Sequence, residues 1–555
     1  MDRKEFIQHI LAEANYLKNE RVREHDDWLE VMRFVHYVQF ALTGKDQKAA
    51  RSKRFSSRPS HYVATLIAGI TGYTVSQSIS WLKLGIEDAK LLDRYGVKDW
   101  LEEVEKLLYA EYSRSNLYRE LPKAIENAVT FGHGLMLVDE DLAQNRIRVT
   151  SEDVSEIYLD KNEYGDVDTV YRVFTMTVKH AAAFFGEDKL HEKAREDYKD
   201  PKRRRNEIEI IHAVYPRTDR EENNPGVKNK AYASVFVDKT NEYLIGESGY
   251  DDFPYAVFIW DAKPGSAYGI SPAIKALDDV RLLNIAEEER IRLAQLSARP
   301  PLMVPNKMQG QEQIVPAGHN YYYDSDKLIF PISVGENFPI TIEITQSIEE
   351  RIRDWFHVDF FLMLQHQDRQ MTATEVLELQ GEKAAVLGNM VANLNVALHK
   401  IVRRSYDILL NQGKLPEPPE ALRETQAELK VDFIGVLAQA QKKTHQYQGI
   451  AAGIQLMGAI ANLAGAIPAA AEALDVVDLD RLVKTGFEGN GVPQDIIRED
   501  EDIAAIRQAR ARAQAAAAQQ SQAMEQQKNI LGNYNKLNEP VNQDSVLGQM
   551  AGGGA

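Results

Sequence analysis

His191-Glu192 opens the zinc pattern H-E-x-x-H, in which two histidines four apart share one helix face and the glutamate acts as a base. Arg195 stands where the second histidine belongs, and none of the thirteen histidines has another four residues away. In DKNEYGDVDTVY (160–171), Asp160, Asn162, Gly165 and Asp168 take calcium-loop positions 1, 3, 6 and 9. Tyr164 occupies position 5, and Tyr171 occupies position 12, which must supply a bidentate glutamate. The stretch reads better as a β-turn carrying NEYG between two strands. Gly265-Ser266-Ala267-Tyr268-Gly269 has the wrong spacing for a G-x-S-x-G nucleophile elbow. A Walker A lysine loop and a G-x-G-x-x-G turn are absent. The trio Asp139-Glu140-Asp141 follows the apolar GLMLV and reads as a strand end, and Arg203-Arg204-Arg205 as a solvated helix end. No catalytic residue, metal or cofactor is expected, and the chain does not read as an enzyme.

The elements must then account for the function. At 555 residues the chain exceeds one compact core, so about two to four domains are expected. Its 44% hydrophobic and 27% charged content is that of a folded protein. The absence of cysteine excludes disulfide frameworks and thiolate metal sites and fits synthesis in a reducing cytoplasm. MDRKEFIQHI is charged from its second residue, unlike a secretory signal. The net charge of −17 argues against tight wrapping of nucleic acid. Residues 444–471 lack Asp, Glu, Lys and Arg, but Gln455, Asn462 and Gly465…Pro468 divide them into short segments. They read as a buried helical hairpin, and no membrane span is expected.

Along the chain, 1–143 reads as mainly helical, with WLEVMRFVHYVQFAL (28–42) apolar and KDWLEEVEKLLYAEYSRS (98–115) amphipathic. Residues 144–270 are β-rich, short β-branched and aromatic runs being split by turn residues. Ser271 as N-cap and Pro272 as first helical residue start a helix that runs to Arg299-Pro300-Pro301, ~40 Å long. Residues 301–345 read as a small β-module carried between that helix and a second one over 346–366. The polar QDRQMT (367–372) then leads into a helix over 373–411, ~55 Å long. Thr372 and Glu375 have capping-box spacing, which starts this helix and leaves Gln367, Asp368, Arg369, Gln370 and Met371 without a structural role. Residues 412–440 contain a strand in ELKVDFIGVLA (428–438), 441–530 return to helix, and 531–555 form a flexible tail.

Long helices with apolar residues on several faces, such as Phe360, Phe361, Leu362 and Leu364, suggest that neighbouring copies complete the packing. The order of long helix, small β-module, helix, polar loop and very long helix resembles the portal proteins, or head-to-tail connectors, of short-tailed, podovirus-type bacteriophages. FIWDAKPGSAYGISPAIKALDDVRLLN (258–284), MTATEV (371–376), GVPQDIIREDEDIAAIRQARARAQ (491–514) and the DKNEYGDVDTVYRVFTMTV hairpin carry the resemblance, over roughly 30–520.

The resemblance implies a mixed α+β, portal-type fold. Residues 1–143 would be the helical part of the wing and 144–270 its β-rich part. Residues 271–300 and 346–366 would be stem helices, 301–345 the clip, 367–372 the tunnel loop, 373–411 the long wing helix, 412–440 a return to the wing and 441–530 the crown. It implies a homo-oligomeric ring of twelve subunits at one capsid vertex of the virion, nucleating procapsid assembly and passing double-stranded DNA during packaging and ejection. Terminase and then the tail adaptor would meet the clip, for which Lys307, Gln311, Tyr321, Tyr322, Tyr323 and Asp326 are the candidates. Major capsid and scaffolding proteins would meet the wing. Gln367, Asp368, Arg369, Gln370, Met371 and Thr372 would touch DNA. Asp278, Asp279, Glu287, Glu288 and Glu289 are candidates for an acidic lumen, against a solvated outer face. The alternative function is a ring-forming tail or baseplate structural protein that does not contact DNA.

Overall fold

The fold is that of a computed structural model. It describes residues 2–36, 54–298 (without 79, 93, 95, 219 and 221–225), 302–303, 330–331, 338–365, 388–425, 429–434, and 503, 506–516, 523–524 and 526–528. The chain divides into two compact units, Met1–His445 and Gln446–Ala555. Residues 506–516 of the second unit are helical. The first unit mixes helix and sheet.

Its helices and strands run in the order α1 (Arg3–Arg21), α2 (His25–Phe34), α3 (Arg58–Thr74), β1 (Leu82–Ile86), α4 (Ala89–Leu92), α5 (Val97–Arg114), α6 (Leu117–Phe131), β2 (His133–Asp141), β3 (Arg146–Ser151), β4 (Ile157–Lys161) and β5 (Val167–Thr177). There follow α7 (Val178–Phe185), α8 (Glu192–Lys199), β6 (Glu207–Pro216), β7 (Tyr232–Asp238), β8 (Tyr243–Tyr250), β9 (Tyr255–Ile259), β10 (Asp261–Ala262) and β11 (Gly269–Ile270). The unit ends with α9 (Pro272–Lys275), α10 (Leu277–Ala298), β12 (Leu302–Met303), β13 (Phe330–Pro331), α11 (Phe338–Trp355), α12 (Val358–Gln365), α13 (Gly388–Asn411), α14 (Glu420–Thr425) and β14 (Leu429–Phe433).

The central helix is α6, buried along Leu117, Leu121, Ala124, Ile125, Ala128 and Phe131. It ends on Gly132, whose φ of 94° turns the chain back into β2. The sheet β3-β2-β9 lies between α6 and α13. With both faces covered, β2 can be a continuous apolar run, HGLMLV, rather than an alternating one. Asp139, Glu140 and Asp141 close it as expected: Asp139 Oδ2 accepts from the Tyr250 hydroxyl (3.1 Å) and Glu140 Oε1 from Gln412 Nε2 (2.7 Å).

A second sheet, β4-β5-β6-β7-β8, is an antiparallel meander covered on both faces. Pleating sends Ile208 and Ile210 of β6 toward Val178, Ala181 and Leu190, and Ile211 and Ala213 toward Ile7, Ile10 and Leu17 of α1. The turn between β4 and β5 is NEYG. Asn162 Oδ1 accepts from the amides of Tyr164 (3.0 Å) and Asp166 (2.9 Å), and Gly165 takes φ 92°. The Asn162 oxygen is thus committed to the turn.

The link between the sheets, 152–156, is pinned from two sides. Arg21, buried at the end of α1, donates from Nη1 to the carbonyls of Val154 (3.0 Å), Ser155 (2.8 Å) and Ile157 (3.0 Å). From β5, Arg172 places Nη1 2.7 Å from the buried Glu152 carboxylate and Nη2 2.9 Å from that of Glu156.

Two helices differ from their sequence reading. The helix expected from Pro272 begins there, with Ser271 Oγ accepting from Ile274 N (2.9 Å), but it breaks at Ala276 before α10. The helix expected over 346–366 starts earlier, at Phe338, and breaks after Trp355, with His357 at φ 49°. FPITIEIT (338–345), read as part of a β-module from its alternating β-formers, is helical. Thr345, Ile348, Glu349 and Ile352 are all buried, a helical spacing, and packing against neighbouring helices overrides local β-propensity.

Candidate functional site on the paired helices α10 and α11

Of the sequence-derived candidates, the acidic residues of α10 lie among the described residues. Gln367, Asp368, Arg369, Gln370, Met371 and Thr372, and the clip residues Lys307, Gln311, Tyr321, Tyr322, Tyr323 and Asp326, lie outside them.

The helix α10 is held at its base. Ser271 Oγ donates to the carbonyl of Thr130 (2.8 Å), tying the α9–α10 start to the end of α6. Arg281 bridges Glu30 of α2 and Asp278. Val280 and Leu283 of α10 enter the core, as do Ile348 and Ile352 of α11 and Phe356 just past its end. The contact between α10 and α11 is also polar: Asp279 accepts from Arg351 Nε (2.9 Å) and from the Trp355 indole N–H (3.3 Å). Arg58 of α3 pairs with Glu349.

The acidic cluster is not bare. Asp278 pairs with Arg281 (2.7 Å), Glu287 with Arg290 (2.7 Å), and Glu288 and Glu289 with Arg292 (2.7 and 2.9 Å). Glu287 is buried, whereas the side chains of Asp278 and Glu289 stay 93% and 52% exposed. Any long-range repulsion of phosphate from this stretch therefore comes mainly from Asp278 and Glu289, reduced by their arginines. The arginine partners stand three or four residues away, a spacing already present in DDVRLLNIAEEERIRL.

Leu282 and Ile285 of α10 are exposed about one turn apart, while Glu289 on the same side separates them from the exposed Leu296 and Ile291 is exposed on the opposite side. Apolar side chains left exposed on a helix in this way favour cover by another surface. Among the described residues no group of three or more histidine, aspartate or glutamate side chains is arranged to hold a metal ion. Among the same residues no helix is long and apolar enough to cross a membrane, and 444–471 lies outside them.

Residues 7–497 match the family model described as bacteriophage head to tail connecting protein. The chain belongs to this family of connecting proteins. It is 30% identical over 524 residues to a portal protein of Salmonella phage epsilon15, covering 92% of each chain. It is 28% identical over 537 residues to a protein described as a probable portal protein of Bordetella phage BPP-1, covering 93% of each. The connector resemblance drawn from 258–284, 371–376 and 491–514 is thus borne out, and α10, α11 and both sheets fall inside the matched region. The connecting proteins are structural components of phage particles.

In this connector Asp279 is expected to couple α10 to α11. Asp279→Ala should lower stability by about 1 kcal/mol, since the pair is partly solvated. In a double-mutant cycle, Arg351→Ala should cost little once Asp279 is gone; fully additive losses would show the contact to be incidental.

Proposed function

We propose that the chain is a phage portal subunit, forming a ring of twelve at one capsid vertex that conducts double-stranded DNA inward during packaging and outward at ejection. The match to connecting proteins across 7–497 carries this reading. In it, α10 and the α11–α12 pair are the stem, 301–345 is the clip that meets terminase and then the tail adaptor, 367–372 is the tunnel loop, and the two sheets belong to a wing facing capsid and scaffolding protein. The exposed Leu282 and Ile285 belong to the stem face that a neighbouring copy covers. A heterologous contact of this kind closes into a ring when its rotation divides the circle.

Charge supports a conduit. At −17 per chain, a ring of twelve carries on the order of −200 formal charges. Tight phosphate contacts would arrest a strand that must move in both directions.

Electron microscopy of the purified protein tests the reading. Rings with a channel at least about as wide as B-form DNA, roughly 20 Å, are expected. Monomers that persist with scaffolding protein present would overturn it. Rings without DNA in their function would match the tail or baseplate alternative, and a loop variant separates the two. Arg369→Ala with Gln370→Ala is expected to leave ring assembly intact and impair DNA packaging or retention. Normal packaging and retention would remove the DNA-contact role from this loop.

A further inference from the structure

The five-stranded sheet carries opposite charge at the two ends of β5. At the β4–β5 turn, Asp160, Glu163, Asp166 and Asp168 gather with a single cation, Lys161, and none of the five has an ion-pair partner among the described residues. Burial, and then repulsion from Asp160 and Glu163, raises Asp168 above the usual carboxylate range, against a hydrogen bond from Thr169. Tyr164, at the tip of this turn, is 83% exposed. The cations of the adjoining β6–β7 connection are committed elsewhere. Arg217 and Lys228 pair with Glu247 (2.8 and 3.3 Å), and Lys230 pairs with Asp251 (2.8 Å).

The other end of β5, ~34 Å away along the strand, is basic. There α7 follows β5 directly, and the amides of Val178 and Lys179 donate to the carbonyls of Asn206 (2.9 Å) and Arg204 (3.0 Å). These bonds fold KDPKRRR (199–205), with five cations and one acid, against the start of α7. Asp197 and Asp200 take up Arg203 (3.1 and 2.9 Å), and Glu187 stands 3.9 Å from Lys199. Arg204 donates from Nε to the Tyr198 carbonyl (2.8 Å). Lys179, Lys202, Arg204 and Arg205 are exposed and have no acid partner among the described residues. Beside them lies the exposed face of α7, formed by Lys179, His180, Ala183 and Phe184, of which Phe184 is 67% exposed.

We propose, resting on the ring reading above, that the acidic β4–β5 turn of one copy docks against the basic end of the same sheet in the next copy, with Tyr164 beside Phe184. A heterologous contact needs two different, complementary patches on one chain, and the two ends of β5 supply them. Four acids at one end face four uncommitted cations at the other, and each end carries an exposed aromatic ring able to anchor the contact. A two-fold contact would instead set either end against itself, like charge on like, which is costly. In a chain of net charge −17, copies repel one another at long range. The uncommitted cations at 179 and 202–205 are where that repulsion turns to attraction, which favours this register of approach over others.

The full chain has no cysteine, so Tyr164→Cys combined with Phe184→Cys places the only two thiols at the two ends. A bismaleimide far shorter than the span of β5 cannot join them within one copy. In rings seen by electron microscopy, the double variant is expected to give a ladder of covalent oligomers on a denaturing gel, and either single variant should stay uncrosslinked. Rings without the ladder would overturn this contact and leave the ring reading standing, whereas absence of rings with scaffolding protein present would overturn both. Charge reversal gives a second readout. Lys202→Glu with Arg204→Glu and Arg205→Glu, or separately Glu163→Lys with Asp166→Lys, should weaken association at least about tenfold, with the loss shrinking as salt is added. Mixing the two reversed chains in equal amounts should restore association, because alternating copies in an even-numbered ring then meet with opposite charge at every contact. Unchanged association of the reversed chains would overturn the proposal. So would a loss that mixing does not repair, which would assign the basic end to an acidic partner of another kind.

Discussion

Gly132→Ala is expected to cost the connector ~3 kcal/mol or more, shown as a large fall in the denaturation midpoint and loss of soluble protein. Two effects add. Gly132 sits at φ 94°, where a side chain is strained by ~1–2 kcal/mol. A Cβ there would also lie 2.0 Å from the Gly269 carbonyl oxygen and 2.4 Å from its carbon, both backbone atoms that cannot swing aside. Relief requires β11 to move, and β11 runs directly into Ser271, whose hydroxyl anchors the start of α9 and α10 to α6. The Trp260 amide donating to the Gly132 carbonyl (3.0 Å) would be disturbed as well. Gly165→Ala is the control. Its φ is 92°, nearly the same, but a Cβ there meets nothing within 4 Å. It should therefore lose only the ~1–2 kcal/mol of backbone strain. Equal losses in the two variants would mean that close packing at Gly132 has no special weight.

That contrast also shows what the sequence made legible. NEYG announces a turn, and Gly165 is needed for its left-handed residue, so both the hairpin and the failure of the calcium pattern were readable locally. Ser271-Pro272 likewise marked a helix start. Gly132 gave no comparable signal, because its second constraint is a backbone 137 residues away. The same holds for Arg21, whose carbonyl partners lie beyond residue 150. The period-two run FPITIEIT misled because its environment, not its propensity, decides its state. The acids of α10 were visible as acids, but their meaning depends on Arg281, Arg290, Arg292 and Arg351. Three of these lie at helical spacing and were open to inspection, while Arg351 needed the α10–α11 packing. Family membership was legible because it rests on the order of many elements, which survives errors in single boundaries.

Stability that falls as pH rises is the expected signature of the link between the two sheets. Glu152 is 1% exposed, and burial pushes its carboxyl up to about 7, against the lowering effect of Arg172. The pair is close at 2.7 Å, yet neither carboxylate oxygen is aligned for a hydrogen bond, which fits a carboxylate that burial still penalises. In the unfolded chain this group ionises near its ordinary 4.5. Between those values the folded state holds a proton that the unfolded state has released, so raising the pH through the window favours unfolding. Above about 7 both states are ionised and the contribution levels off, at a loss of roughly 3 kcal/mol relative to acid. Other groups titrate too, so the measurement is the difference between the parent and Glu152→Gln across the same pH range. The parent should lose stability relative to that variant as pH rises from about 4.5 to 7; a flat difference would remove Glu152 from the account. Arg172→Met sharpens the test. It strips the shared cation from Glu152 and Glu156, leaving a buried charge uncompensated, which costs about 3–5 kcal/mol once Glu152 is ionised. At acid pH Glu152 is neutral, and the same substitution should cost much less. The damage from Arg172→Met is therefore expected to grow with pH, whereas a loss of packing alone would be the same at every pH.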